Sequence, residues 1–117
     1  MKIFLICPVR NVSSDEQALI ADYVAWLEAS GEFVYWPARD TDQSDAVGLK
    51  ICASNRSAME TSDEVHVWWN PDSIGSVFDL GMAFALRKPV IAANSIFATA
   101  HKSFANVIRE LDPNTIR

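Results

Sequence analysis

The sequence predicts a single-domain α/β fold, a parallel sheet of four or five strands flanked by helices. Three observations predict it. The 117-residue chain is long enough for one domain with one core. Short apolar runs alternate four times with segments of helical periodicity, the pattern of βα units joined by right-handed crossovers. The first run, KIFLICPV, is continuously apolar rather than alternating, which suits a central strand buried on both faces.

Each element follows from its own signals. After KIFLICPV, Ser13 with Glu16 three residues on forms a capping box, and Ser14 with Gln17 offers a second register. The helix runs to Ser30, with Leu19, Tyr23, Trp26 and Leu27 on its inward stripe and Gly31 as C-cap. EFVYWP is a second strand, stopped by Pro37, and RDTDQSD a polar loop. A helix over 45–60 buries Val47, Ile51, Cys52 and Met59. DEVHVWWN is the third strand and PDSIG its turn; the third helix covers 76–87, PVIAAN is the fourth strand, and Phe104, Val107, Ile108 and Leu111 mark a last helix. The expected architecture is Rossmann-like or flavodoxin-like, with strand order 2-1-3-4 and one domain over residues 1–117.

Composition narrows the function. Half the residues are hydrophobic and 21% are charged, an ordinary globular balance. The net charge is −5 with no run of Lys or Arg, which argues against a nucleic-acid polymer as partner but allows a pocket for one small anion. Cys7 and Cys52 have no CxxC partner and read as reduced thiols of a cytoplasmic protein without a metal site. No run approaches ~18 apolar residues, so no membrane span is expected.

In a parallel sheet of order 2-1-3-4, ligands bind beyond the carboxyl ends of strands one and three. The loops there are CPVRN and NPDSIGS. Ser73, Gly75 and Ser76 fall at a helix N-terminus, where free N–H groups favour an anion, and Arg10 could add a forked positive charge. Together they form a candidate phosphate site, although turn and cap residues have the same composition. Asp79 reads in two ways. It could complete a capping pair with Ser76, or it could point a carboxylate into the cleft as a nucleophile or cation stabiliser. Gly81, costly inside a helix, is expected to let that helix pack closely on the sheet. Asn55 lies on a buried stripe and needs a partner, with backbone favoured over ligand. His66 reads as a core or sheet-face residue. Trp36, Trp68 and Trp69 lie at strand ends, where an aromatic rim would suit a stacked base.

With these residues in view, the chain resembles the nucleoside 2-deoxyribosyltransferase superfamily, including its 2′-deoxynucleoside 5′-phosphate N-hydrolase branch. The resemblance runs roughly over residues 2–92, through KIFLICPVRN, TSDEVHVWW and SIGSVFDLGMAFALRKPV. The last stretch is the most specific, with a Gly, an acid four residues on, then x-Gly, Ala and Lys-Pro. The resemblance implies that the acid at the Asp79 position attacks C1′ of the sugar and expels the base, leaving a glycosyl-enzyme that water or a second base resolves. It places Arg10 and Ser73 near a 5′-phosphate and implies sites built across a homodimer, with no metal or other cofactor.

Three departures stand out. Asp79 replaces the family's Glu and is one methylene shorter, and displacing a nucleophile by ~1 Å can cost ~10²-fold. Asn55 stands where the family has an assisting Asp, and an amide cannot transfer a proton as an acid would. Pro8 replaces a Ser or Gly and removes a backbone donor. Two functions are therefore expected. One is a nucleoside or nucleoside 5′-monophosphate N-glycosidase or deoxyribosyltransferase, with Asp79 and Asn55 as catalytic residues and Arg10, Ser73, Gly75 and Ser76 binding phosphate. The alternative is a catalytically inactive nucleotide-binding module of the same fold.

Overall fold

The computed structural model describes residues 1–115. Four parallel strands, β1 (Lys2–Ile6), β2 (Phe33–Tyr35), β3 (Glu64–Val67) and β4 (Val90–Ala92), form one sheet in the order β2-β1-β3-β4. This is the expected order. Strand β1 is central: Phe4 pairs with Tyr35 on one side and Val65 on the other. Its Ile3, Leu5 and Cys7 join one core cluster and its Phe4 and Ile6 the other, so the unbroken apolar run reflects burial on both faces. The strand ends at Ile6, two residues before Pro8 removes a ladder donor.

Helix α1 (Ser14–Ala29) covers the first face. Its N-cap is Ser13, whose hydroxyl accepts from Glu16 N at 3.1 Å. The buried stripe is Ile20, Val24 and Leu27, while Leu19 and Trp26 are exposed. Of the expected stripe, Leu27 is buried and Tyr23 half-buried against this core, while Ile20 and Val24 take the inward places expected of Leu19 and Trp26. The helix is apolar around much of its girth, so two overlapping stripes compete for the sheet. The C-cap is Ser30, and Gly31 follows at φ 91°, the left-handed backbone for which glycine is suited.

Between β2 and the next long helix the expected loop contains a four-residue helix, α2 (Pro37–Asp40). Pro37 presets its first turn, and Asp40 accepts from Trp36 N at 2.8 Å. Helix α3 (Leu49–Glu60) starts four residues later than expected. Gly48, at φ 91°, makes a left-handed entry, and the Asp45 carboxylate accepts from Val47 N and Lys50 N. Val47 consequently lies outside the helix and is exposed; Met59 is buried as expected, and Ile51 and Cys52 are half-buried. Helix α4 (Ile74–Ala85) and helix α5 (Phe104–Leu111) complete the element list. Residues of α3, α4 and α5 pack into the second core cluster. Among the described residues, no helix is long and apolar enough to cross a membrane.

Candidate active site

The site is built where β1 and β3 end. Cys7 follows β1, Trp36 follows β2, and Trp68 and Trp69 follow β3, the tryptophans all half-buried. Trp36 and Trp68 pack on the α1 face of the sheet and Trp69 on the opposite face, where its ring meets Phe104 edge-on. The strand-end aromatics therefore stand on both faces of the sheet.

Helix α4 begins two residues earlier than the sequence suggests, with Ser73 as N-cap. Its hydroxyl accepts from Ser76 N at 3.3 Å and lies 2.8 Å from the Ser76 hydroxyl. Ser76 is buried and its hydroxyl engaged, so Ser73 and the Gly75 backbone form the accessible part of the turn. A Cβ on Gly75 would meet nothing within 4 Å, leaving the turn open to an incoming group. Arg10 is exposed in the loop after β1. No described residue forms a hydrogen bond or ion pair with its guanidinium.

Starting α4 at Ile74 moves Asp79 to the sixth helical position, in the second turn. The capping pair with Ser76 is thereby excluded, because free N–H groups belong to the first turn. Among the described residues the Asp79 carboxylate has no hydrogen-bond or ion-pair partner. Burial pushes its carboxyl up from 3.8 to about 7, because the charged form loses water and gains no compensating contact. Burial pushes the Cys7 thiol up to about 12; the neighbouring Trp36 side chain opposes the rise, and Asp79 and then Glu16 add to it. The Asp79 carboxylate is thus close enough to Cys7, just past the end of β1, to act on it electrostatically. Neither of two surface concavities, one lined by Asp42, Asp45 and Lys50 and one by Phe33, Ala53 and Ser57, includes it. Gly81 does not approach the sheet: it is exposed, and a Cβ there would meet nothing within 4 Å. The expected close packing on the sheet is overturned.

Asn55 is buried, and its partner is a side chain rather than backbone. Thr41 donates its hydroxyl to Asn55 Oδ1 at 2.9 Å, and the Tyr35 hydroxyl lies 2.6 Å from Thr41 Oγ1. His66 is buried between Tyr23, whose hydroxyl is 2.5 Å from Nδ1, and Glu64, whose carboxylate is 2.8 Å from Nε2. The structure thus brings Ser73, Gly75 and Ser76 together, sets Asp79 near Cys7, and closes Asn55 into a separate chain with Thr41.

Two residues at this edge escaped the sequence reading. Glu16 carries its carboxylate to Asn70 and Trp68, and Asn94 grips Trp69 from the end of β4, accepting from Trp69 N at 2.8 Å and donating to Trp69 O at 3.0 Å. The capping-box pattern had accounted for Glu16 locally, and Asn94 read as the end of a strand. Both pairings span more than twenty residues, beyond the range of local patterning.

The fold resembles that of a 2-deoxyribosyltransferase from Bacillus psychrosaccharolyticus, with a TM-score of 0.70 at 16% identity over 96% of each chain. It also resembles a CMP N-glycosidase from Clostridium botulinum, with a TM-score of 0.63 at 18% identity over 96% of this chain and 83% of the other. No curated protein matches the sequence. The model of the nucleoside 2-deoxyribosyltransferase family matches residues 3–110. The chain therefore belongs to the nucleoside 2-deoxyribosyltransferase family.

Proposed function

We propose that this protein cleaves or transfers the N-glycosidic bond of a nucleoside or nucleoside 5′-monophosphate at C1′, in the cytoplasm and with no cofactor. One observation carries the reading. Asp79 is a half-buried carboxyl with no partner among the described residues, and burial raises it toward neutrality. Such a group costs stability and serves no local structure, the condition in which a reactive acid is kept. In the proposed reaction the ionised Asp79 oxygen bonds to C1′ as the C1′–N bond breaks, and the base leaves with the bonding electrons and takes up a proton. Water or a second base then displaces the carboxylate. Ser73, the Gly75 backbone and Arg10, which has no partner among the described residues, hold the 5′-phosphate, with Ser76 fixing the turn from beneath.

The protein is proposed to act as a homodimer through α4. Ile74, Phe78 and Phe84 are 85%, 58% and 64% exposed, and they flank the open Gly81. Asp79 is the only charge on this helix. The stripe exposes on the order of 300 Å² of apolar surface, the size of patch that marks an interaction site. A second copy can meet it without charge repulsion and would lie beside the helix that carries Asp79.

The inactive, nucleotide-binding alternative is favoured by Asn55, an amide buried against Thr41 where the resemblance calls for a proton-transferring acid. Assaying free base from deoxynucleosides, ribonucleosides and their 5′-monophosphates separates the two. Release by wild type and loss in Asp79→Asn support catalysis. No release from wild type, Asp79→Glu or the Asp79→Glu/Asn55→Asp double variant leaves the binding module.

A further inference from the structure

Glu16 occupies the third position of α1, where a capping box would turn its carboxylate back to the Ser13 N–H. Half of that box is present, since Ser13 Oγ accepts from Glu16 N. The reciprocal half is not. The carboxylate instead crosses to the end of β3, where Oε1 accepts from Asn70 Nδ2 at 3.2 Å and Oε2 faces Trp68 Nε1 at 3.5 Å. An acid that gives up its local partner for contacts more than fifty residues away has a task in the tertiary structure.

Asn70 shows what that task is. Its Oδ1 accepts from Asp72 N at 2.9 Å, and its backbone oxygen accepts from Ser73 N at 3.0 Å. Ser73 in turn caps α4 through Ser76 N. Both ends of the Asn70 amide are committed, the oxygen to the turn and the nitrogen to Glu16. An ionised carboxylate accepts only, so it selects the flip in which the amide oxygen faces Asp72 N.

We propose that Glu16 is a positioning residue for the phosphate-binding turn: through Asn70 it fixes residues 70–76, and so the entry of α4, in the geometry that receives a 5′-phosphate. The phosphate half of this statement rests on the proposed function; the clasp does not. Asn94 holds the neighbouring Trp69 backbone from the other side, so Glu16 and Asn94 grip the end of β3 between them. Glu16 acts through Asn70 and need not touch the substrate.

Amide hydrogen exchange, indole N–H spectra and titration with cytidine 5′-monophosphate test the proposal on Glu16→Ala, Glu16→Gln, Asn70→Ala and the Glu16→Ala/Asn70→Ala double variant. Local opening of one turn is visible without global unfolding. Exchange of the amides of residues 72–76 should rise by about 10-fold or more in both alanine variants, and no further in the double variant, since both cut one connection. Glu16→Gln keeps an acceptor for Asn70 and should stay within about 3-fold of wild type. The Trp68 indole N–H signal should shift in Glu16→Ala and stay put in Asn70→Ala. Nucleotide affinity should fall about 10-fold where the turn loosens. A loosened turn with nucleotide bound by none of the proteins, wild type included, upholds the clasp and overturns the phosphate site. Unchanged exchange at 72–76, a rise confined to the first turn of α1, or Glu16→Gln behaving as Glu16→Ala overturns the clasp.

Discussion

Replacing Asp79 by Asn should make this protein more stable and abolish any turnover. Asp79 does not cap α4, because Ser73 does, and its carboxylate makes no described contact. The charged form is therefore a burden on the folded state. A rise from 3.8 to about 7 corresponds to roughly 4 kcal/mol between the two protonation states, and residual access to water brings the expected gain to roughly 2–4 kcal/mol. The sign follows from proton binding. Below pH 3.8 the group is protonated in both states and carries no penalty. Between 3.8 and about 7 the unfolded chain releases a proton that the folded chain keeps, so stability falls as pH rises. Above about 7 the full penalty is present. Asp79→Asn removes it at every pH. Its melting temperature should match wild type near pH 3.5, rise above it through pH 5 and 6, and level off on the order of 10 °C higher by pH 8. Thermal denaturation of both proteins across that range checks this. A constant offset, or an asparagine variant less stable throughout, would refute the claim that Asp79 is held against its own solvation.

Three other outcomes are expected. If the ionised carboxylate is the nucleophile, kcat/KM should climb about tenfold per pH unit below 7 and flatten above it, and a flat profile from pH 5.5 to 8.5 would assign the chemistry elsewhere. Arg10→Ala should weaken a nucleoside 5′-monophosphate by about 10-fold or more and the plain nucleoside hardly at all; calorimetry showing equal losses would mean that Arg10 orders its loop instead. Phe84→Glu should give a 13.0 kDa species by light scattering where wild type gives twice that mass, and a wild type already at 13.0 kDa would remove the α4 dimer.

The order of the elements, the parallel sheet and the family resemblance are legible in the sequence because their signals are local. An unbroken apolar run, a serine three residues before a glutamate, a proline after a strand or a glycine after a helix each act within a few residues of chain. Ser73 and Gly75 could be placed at a helix entrance on the same grounds, since PDSIGS carries its own turn chemistry.

Tertiary contact decided the rest. Helix α1 offers two apolar stripes, and only its seat on the sheet selects Ile20, Val24 and Leu27 over Leu19 and Trp26. Gly81 looked like a packing glycine, but it faces open surface because α4 turns Leu80 and Ala83 to the core. Asn55 found Thr41, and Glu16 left its capping box for Asn70. Spacing alone left Asp79 divided between a cap and a reactive acid. The start of α4 at Ile74 puts Asp79 in the second turn, beyond the unpaired N–H groups, which removes the cap reading, and burial raises its carboxyl. A cap is local chemistry, whereas desolvation is the combined effect of every element that shuts water out, and no stretch of sequence carries it.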